Sequence, residues 1–341
     1  MNDERLAVVG GGSWGTTLAA MAAGAGRAVA LLVRDEATAR RLRDERRNAR
    51  YLPDLALPDA LRIESDPALA CAGASVIVLA VPTTAMRKTA ERLRPYVGNA
   101  VVVSAVKGLE RGTLLRMSEV VEQALDGRAP VCALSGPNLA REIAAGKPAA
   151  SVVAGTDPSA VAKAAAALRR PALRIYTSRD LVGVEIGGSL KNVIAIAAGI
   201  ADGLDVGDNA KAGLMTRGLA EIARVGVALG ADPLTFAGLA GLGDLVATCA
   251  SPHSRNRTVG LALARGERLE EIAAALGQVA EGIETTGAAV ALGGRLGVEL
   301  PIADQLHAVM FAGKPPADAI AALLARDPTD EMPGLPRGAS A

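Results

Sequence analysis

The segment LAVVGGGSWGTTLA, residues 6–19, decides the fold. Four apolar residues, Leu6 to Val9, run into Gly10-Gly11-Gly12-Ser13-Trp14-Gly15, a match to G-x-G-x-x-G, and an Ala- and Leu-rich stretch follows. Strand, glycine turn and helix in that order are the context in which this spacing binds a dinucleotide. Gly10 permits a sharp turn, Gly12 lets backbone approach a pyrophosphate, and Gly15 lets the helix pack closely on the strand. The amide N–H groups at the helix start then face the phosphate charge.

The same alternation continues outward to about residue 178. Leu6–Val9, Val29–Val33, Val76–Ala80, Val101–Ser104, Val131–Leu134, Ser151–Ala154 and Arg174–Tyr176 read as buried strands. Helix-length stretches separate them: Thr16–Ala23, Ala37–Arg47, Thr84–Leu93, Leu114–Leu125 and Ser159–Leu168. This predicts an α/β, Rossmann-type doubly wound parallel sheet. After Leu181 the strands stop, and helical segments follow at Ile186–Ile200, Asn209–Leu229, Leu242–Thr248, Arg255–Arg265, Leu269–Ala275, Glu281–Leu296, Ile302–Phe311 and Ala317–Ala325. The expected organisation is a dinucleotide-binding domain over 1–180, an all-α domain over 181–326 and a flexible, proline-bearing tail over 327–341.

Composition narrows the function classes. A chain of 341 residues exceeds the length at which one core stops growing, so two domains are the default. Aromatics make up only 2 %, which removes the stacking platforms of single-stranded nucleic-acid binders. A net charge of +1 favours neither nucleic acid nor an anionic membrane. The acidic start at Asp3-Glu4 does not read as a signal peptide. No apolar run approaches the ~20 residues that span a bilayer, since Asp202 interrupts the longest one, and no membrane insertion is expected. Cys71, Cys132 and Cys249 are dispersed and odd in number, which predicts neither a disulfide framework nor a metal site and points to a reducing cytoplasm.

Ligands of open α/β sheets lie beyond the carboxyl ends of the strands. Val33-Arg34-Asp35 ends the second strand. Arg34 can stack on adenine and pair with a 2′-phosphate, or Asp35 can take the ribose hydroxyls, so NAD and NADP both stay open. Lys107 follows the apolar strand Val101–Ser104, placed to polarise a carbonyl or neutralise a phosphate. The chain writes its cations as 30 arginines against 7 lysines, so a lysine in an apolar setting is read as functional. Lys191, in GGSLKNVIAI at 187–196, sits just inside a long apolar helix, where a charged amine is expensive to bury and desolvation favours its neutral form. An amine so poised accepts an alcohol proton or gives one to a ketone oxygen. Ser254 is suited to cap a helix whose first amides attract anions, with Arg255 and Arg257 as fork-shaped donors. Asp244, among glycines and aliphatics, is suited to hold a substrate hydroxyl, to orient Lys191, or simply to cap a helix.

The chain resembles the bacterial NAD(P)-dependent glycerol-3-phosphate dehydrogenases along nearly its whole length. The strings that carry the likeness are GGGSWGTTLA at 10–19, KGLE at 107–110, SGPNLAREI at 135–143, GGSLKNVIAI at 187–196, AGLGDLVATC at 240–249, SRNR at 254–257 and VAEGIETT at 279–286. The resemblance implies reversible reduction of dihydroxyacetone phosphate to sn-glycerol 3-phosphate, feeding phospholipid synthesis, with Lys191 as proton acceptor for the alcohol. It implies that Lys107, Gly136, Asn138, Asp244, Ser254, Arg255 and Asn256 line the substrate. Ser13, Trp14, Arg34, Lys107, Ala140, Arg255, Val279 and Glu281 would touch the nucleotide, and the enzyme would be a homodimer. Asn138 stands where members usually carry Ser or Thr, and Trp14 where some carry Tyr or Phe. Two rival readings are a β-hydroxyacid or 6-phosphogluconate-type dehydrogenase, which shares the Lys-Asn pair, and a non-catalytic NADPH sensor.

Overall fold

The structure, a computed structural model, describes residues 5–276, 280–327 and 331. The chain forms two compact units: one runs up to Val106 and resumes over Leu115–Leu181, and the other joins Lys107–Leu114 to the chain from Val182 onward. The sequence placed residues 107–114 in the first domain. Leu109 and Leu114 instead pack into the helical core, and that burial assigns the segment to the second unit.

The first unit is an eight-stranded sheet. Its strands are β1 (Arg5–Val9), β2 (Val29–Leu32), β5 (Arg62–Glu64), β6 (Ala74–Leu79), β7 (Val101–Ser104), β8 (Val131–Ser135), β9 (Ala149–Gly155) and β10 (Leu173–Ser178), and a separate hairpin pairs β3 (Arg47–Asn48) with β4 (Leu52–Ala56). The spatial order is β5-β2-β1-β6-β7-β8-β9-β10. The six strands from β5 to β8 are parallel in the doubly wound 3-2-1-4-5-6 order. β9 runs antiparallel to β8, and β10 parallel to β9. β1, β2, β7 and β8 read as unbroken apolar runs because both sheet faces are covered. Val8, Leu31, Val103 and Leu134 pack into one buried layer; Val9, Leu32, Val102 and Val131 pack into the other. The winding reverses between β1 and β6, the point at which open α/β sheets generally bind their ligands.

The sequence reading missed β3, β4 and β5. All lie at margins and carry Arg, Asn, Pro, Asp or Glu, so no apolar run marks them. It also extended the second helix to Arg47, whereas that helix is Glu36–Glu45 and ends where Arg46 takes the left-handed conformation, φ 43°.

The second unit is helical over its described residues. Its axis is the helix Leu181–Gly203, longer at both ends than the sequence suggested. This helix is long and apolar enough to cross a bilayer, with mean hydropathy 1.5 over its most apolar 18 residues, contrary to the sequence-based expectation; 89 % of that window is buried. Ile194, Ile196, Ile222, Val225, Phe236 and Leu306 form the core around it. Glycines on this helix and on the helix Arg255–Ala264 let the two approach to backbone contact. A Cβ on Gly199 would stand 2.2 Å from the Arg257 carbonyl oxygen, and one on Gly260 would stand 2.0 Å from that of Ile196. The expected flexible tail, 327–341, falls almost wholly outside the described residues.

Candidate active site

In the sheet unit, β1 ends at Val9 and the chain turns through Gly10, φ 119°, into the helix Ser13–Gly24. The three glycines of the motif behave differently. A Cβ on Gly10 would lie 2.3 Å from the Ala80 carbonyl oxygen, and one on Gly15 would lie 2.1 Å from that of Gly10. Those positions are closed by packing. A Cβ on Gly12 would meet nothing within 4 Å, so open space faces the backbone just where the helix amides begin. That is the cradle a pyrophosphate needs. Beside it, the indole Nε1 of Trp14 is buried without a protein partner. The Thr17 hydroxyl contacts the carbonyls of Ser13 (2.8 Å) and Ala140 (3.3 Å), which brings Ala140 to the loop.

Arg34 and Asp35 divide their tasks. Asp35 caps the helix Glu36–Glu45, accepting from the Thr38 amide at 2.8 Å, and also accepts from Arg34 Nε at 3.0 Å. The Thr38 amide bond, with Arg34 second, holds its carboxyl down at about 2. Asp35 is thus occupied, while the Arg34 side chain is 86 % exposed. At the ends of β8 and β9, Gly136 has φ 130°, and a Cβ there would press on Ser151 Cα at 3.0 Å. The Asn138 carboxamide oxygen accepts from the Ser151 hydroxyl, and its Nδ2 is buried with no protein acceptor.

The helical unit holds a charge cluster. Lys191 lies on the Leu181–Gly203 helix, 5 % exposed, and Asp244 opens the helix Asp244–Ala250, 1 % exposed. Lys191 Nζ donates to Asp244 Oδ1 at 2.8 Å and to Thr248 Oγ1 at 2.5 Å. Lys107 Nζ donates to Asp244 Oδ2 at 2.6 Å. One carboxylate therefore bridges two ammonium groups, an arrangement that offsets the desolvation of Lys191 by pairing rather than leaving it alone in apolar surroundings. Burial pulls the Lys107 amine down from 10.5 to about 8, with Asp244 pulling it up and Lys191 pushing it down. The approach of the two helices rests on Gly187: a Cβ there would be 2.7 Å from the carbonyl oxygen of Ala240, in the π-helical turn Leu239–Gly243 that leads into Asp244.

A network of side-chain amides and the Glu281 carboxyl adjoins the cluster. Asn256 Nδ2 donates to Asn192 Oδ1 at 2.8 Å, Asn256 Oδ1 accepts from the Gly282 amide at 3.0 Å, and Asn192 Nδ2 reaches Glu281 Oε2 at 3.5 Å. Burial pushes the Glu281 carboxyl up, against the pull of Arg255, Lys107 and Lys191. Ser254 caps the helix Arg255–Ala264 through Arg257 N–H, 3.2 Å, as the sequence suggested. One expectation changes. Arg257 is held by Asp202, Nε to Oδ2 at 2.6 Å, together with Lys211, so it is a structural ion-pair partner and not a spare phosphate donor. The Asn256 carboxamide spends one of its two Nδ2–H groups on Asn192, which leaves the second, with the backbone amide, for an anion. Val279 lies outside the described residues.

Sequence reasoning missed Thr248, four residues after Asp244 on one helix face, a spacing that was legible.

A doubly wound sheet with an open glycine cradle, and a helical unit with a buried Lys-Asp-Lys cluster, define a dinucleotide-dependent oxidoreductase. The chain belongs to the NAD-dependent glycerol-3-phosphate dehydrogenase family: the N-terminal family model matches residues 5–161 and the C-terminal model residues 180–321. It is 50 % identical over 331 residues to the glycerol-3-phosphate dehydrogenase, NAD(P)+, of Frankia casuarinae, covering 96 % of this chain and 98 % of the relative. The corresponding enzyme of Solidesulfovibrio magneticus is 47 % identical over 96 % of this chain and all of its own length, 100 %. The crystal structure of glycerol-3-phosphate dehydrogenase from Coxiella burnetii is similar with a TM-score of 0.90 at 37 % identity, over 95 % of this chain and 99 % of that one.

Proposed function

We propose that the chain reduces dihydroxyacetone phosphate reversibly to sn-glycerol 3-phosphate with NADPH or NADH, and that Lys191 carries the proton. The observation that bears this reading is the single carboxylate of Asp244 shared between Lys191 and Lys107. Two cations and one anion leave a buried excess of positive charge, suited to an anionic substrate and to a developing oxyanion.

The hydrogen bonds of Lys191 support it as the proton carrier. A lysine ammonium has three N–H groups. Asp244 and Thr248 accept two from Lys191, and the third is the one for a substrate oxygen. Thr248 has one hydroxyl hydrogen, directed at the Asp244 carbonyl 2.7 Å away, so its lone pair faces Lys191. In reduction the ammonium gives its proton to the ketone oxygen; in oxidation the neutral amine takes the proton of the secondary alcohol. A bound dinucleotide supplies or accepts the hydride. The capped helix start, through Arg255 and the Asn256 amide, is suited to the substrate phosphate, with Lys107, Gly136 and Asn138 as further substrate contacts. Gly10, Gly12, Ser13, Trp14, Gly15, Arg34, Ala140 and Glu281 belong to the dinucleotide. Because Asp35 already serves a helix cap, exposed Arg34 supports recognition of a 2′-phosphate and hence NADP.

The same reading includes a cytoplasmic homodimer that supplies glycerol 3-phosphate for phospholipids; sedimentation equilibrium should return twice the 34.4 kDa chain mass. Oxidation of NADPH and NADH with dihydroxyacetone phosphate, measured side by side, tests the activity. Turnover of a β-hydroxy acid with none of dihydroxyacetone phosphate would replace this proposal by its rival. Binding of NADPH without any turnover would leave a sensor.

A further inference from the structure

The glycine cradle depends on a side chain from the small hairpin. Asn48, on β3, is 2 % exposed. Its Nδ2 donates to the Gly11 carbonyl oxygen at 2.9 Å and to Thr16 Oγ1 at 2.8 Å. A carbonyl only accepts, so chemistry alone requires the nitrogen of the carboxamide to face Gly11.

The consequence follows from the peptide plane. The Gly11–Gly12 peptide is planar and trans, so fixing the Gly11 C=O on one side directs the Gly12 N–H to the opposite side. Gly11 also lies close against the second strand, since a Cβ there would stand 2.9 Å from Val33 Cγ1. On the other side of Gly12, its carbonyl accepts from the Thr16 amide at 3.0 Å, the first bond of the helix. Gly12 is therefore held from both flanks while open space lies before it. The hairpin is anchored in turn: Leu57 N–H donates to Arg46 C=O at 2.9 Å, and the Arg46 guanidinium binds the carbonyls of Pro58 and Leu61.

We infer that Asn48 is a positioning residue for dinucleotide binding, fixing the Gly11–Gly12 peptide so that the Gly12 amide faces the cofactor's phosphates. This rests on the reading of the glycine loop given above. A preformed amide loses no orientation on binding, so the effect belongs to affinity and not to the proton-transfer step.

Equilibrium titration of the full-length protein with NADPH, followed by calorimetry and by quenching of Trp14, decides it. Asn48→Asp keeps the size, removes the donor and sets a carboxylate against the Gly11 carbonyl. Its NADPH dissociation constant should rise roughly tenfold or more, as loss of a buried hydrogen bond predicts. The KM for NADPH should rise with it, while kcat at saturating NADPH and the KM for dihydroxyacetone phosphate stay within about threefold. Thr16→Val, which keeps the contact to Gly11, should shift the dissociation constant less than about threefold. A purely structural role would lower Tm and leave affinity at 25 °C unchanged. An Asn48→Asp protein with native circular dichroism and NADPH affinity within about twofold of wild type would overturn the inference. So would an equal loss in Thr16→Val. If Asn48→Asp does not accumulate in folded form, Asn48→Ala, which adds no charge, is read by the same criteria. Failure of the wild-type chain to bind NADPH would instead sink the reading of the loop, and the inference with it.

Discussion

At the residue scale, the site divides into positions closed by packing and positions left open. Gly12 is open, with φ −77° that alanine adopts without strain. Gly12→Ala should fold with wild-type Tm yet weaken NADPH binding by roughly tenfold or more, because the new methyl occupies the approach path of the phosphates. Calorimetry and a thermal melt on the same sample would check both halves. Lys191 is the complementary case. Its removal leaves Asp244 paired with Lys107 at 2.6 Å, so no carboxylate is stranded. Lys191→Ala should therefore fold, bind NADPH nearly as well as wild type, and lose about 10²–10⁴ in kcat for dihydroxyacetone phosphate reduction. Turnover at the wild-type rate would remove Lys191 from the mechanism. Rarity and apolar context were enough to single out Lys191 and Lys107 in the sequence. Their shared carboxylate was not: Asp244 lies 53 residues from Lys191 and 137 from Lys107 in sequence, and no local pattern links them.

At the element scale, the helix Leu181–Gly203 brings the helical unit's chemistry together because its neighbours reach its backbone. At Gly260 a Cβ would stand 2.0 Å from the Ile196 carbonyl oxygen, and backbone cannot rotate aside as a side chain can. Gly260→Ala should destabilise the protein by roughly 2–3 kcal/mol through overpacking, and should raise the KM for dihydroxyacetone phosphate by displacing the Ser254-capped helix start. Gly213, in the second turn of the helix Asp208–Ala228, has nothing within 4 Å of its Cβ position. Gly213→Ala should stabilise by about 0.5–1 kcal/mol, from helix propensity alone. Urea titrations of the two variants with equal m-values would separate packing from propensity; equal effects in both would refute the close-crossing argument. The sequence placed nearly every long helix, since apolar periodicity is local. It missed β3, β4 and β5, which have no such periodicity, and with them the hairpin that braces the glycine loop.

At the scale of the whole molecule, one buried carboxylate links global stability to pH. Glu221, 4 % exposed, accepts from the amides of Ile302 (2.7 Å) and Ala303 (3.4 Å), and so caps the helix Pro301–Phe311 from a neighbouring helix. Burial pushes its carboxyl up from 4.5 to about 7, against the two amide bonds and Arg224, with Asp304 adding to the rise. Because this raised value lies in the folded state, folding takes up a proton between 4.5 and about 7. The burial cost is present in full above 7 and fades as pH falls toward 4.5. Wild type should therefore gain stability relative to Glu221→Gln as pH drops from 8 to 5.5, by on the order of 1 kcal/mol or more. Melts of both proteins across that range would check it; parallel curves would count against a titrating Glu221.

The sequence by itself determined the doubly wound sheet, the helical second half, the glycine loop and the lysines. Those features follow from hydrophobic period, turn residues and composition, which act over a few residues at a time. The fold alone decided which residues meet. It put one carboxylate between two lysines, tied Arg257 to Asp202, gave Asp35 to a helix cap, and set Asn48 behind the phosphate cradle. Hydrogen bonds and ion pairs reach only about 3 Å, and a chain that returns on itself after many residues satisfies them by geometry that no local pattern records.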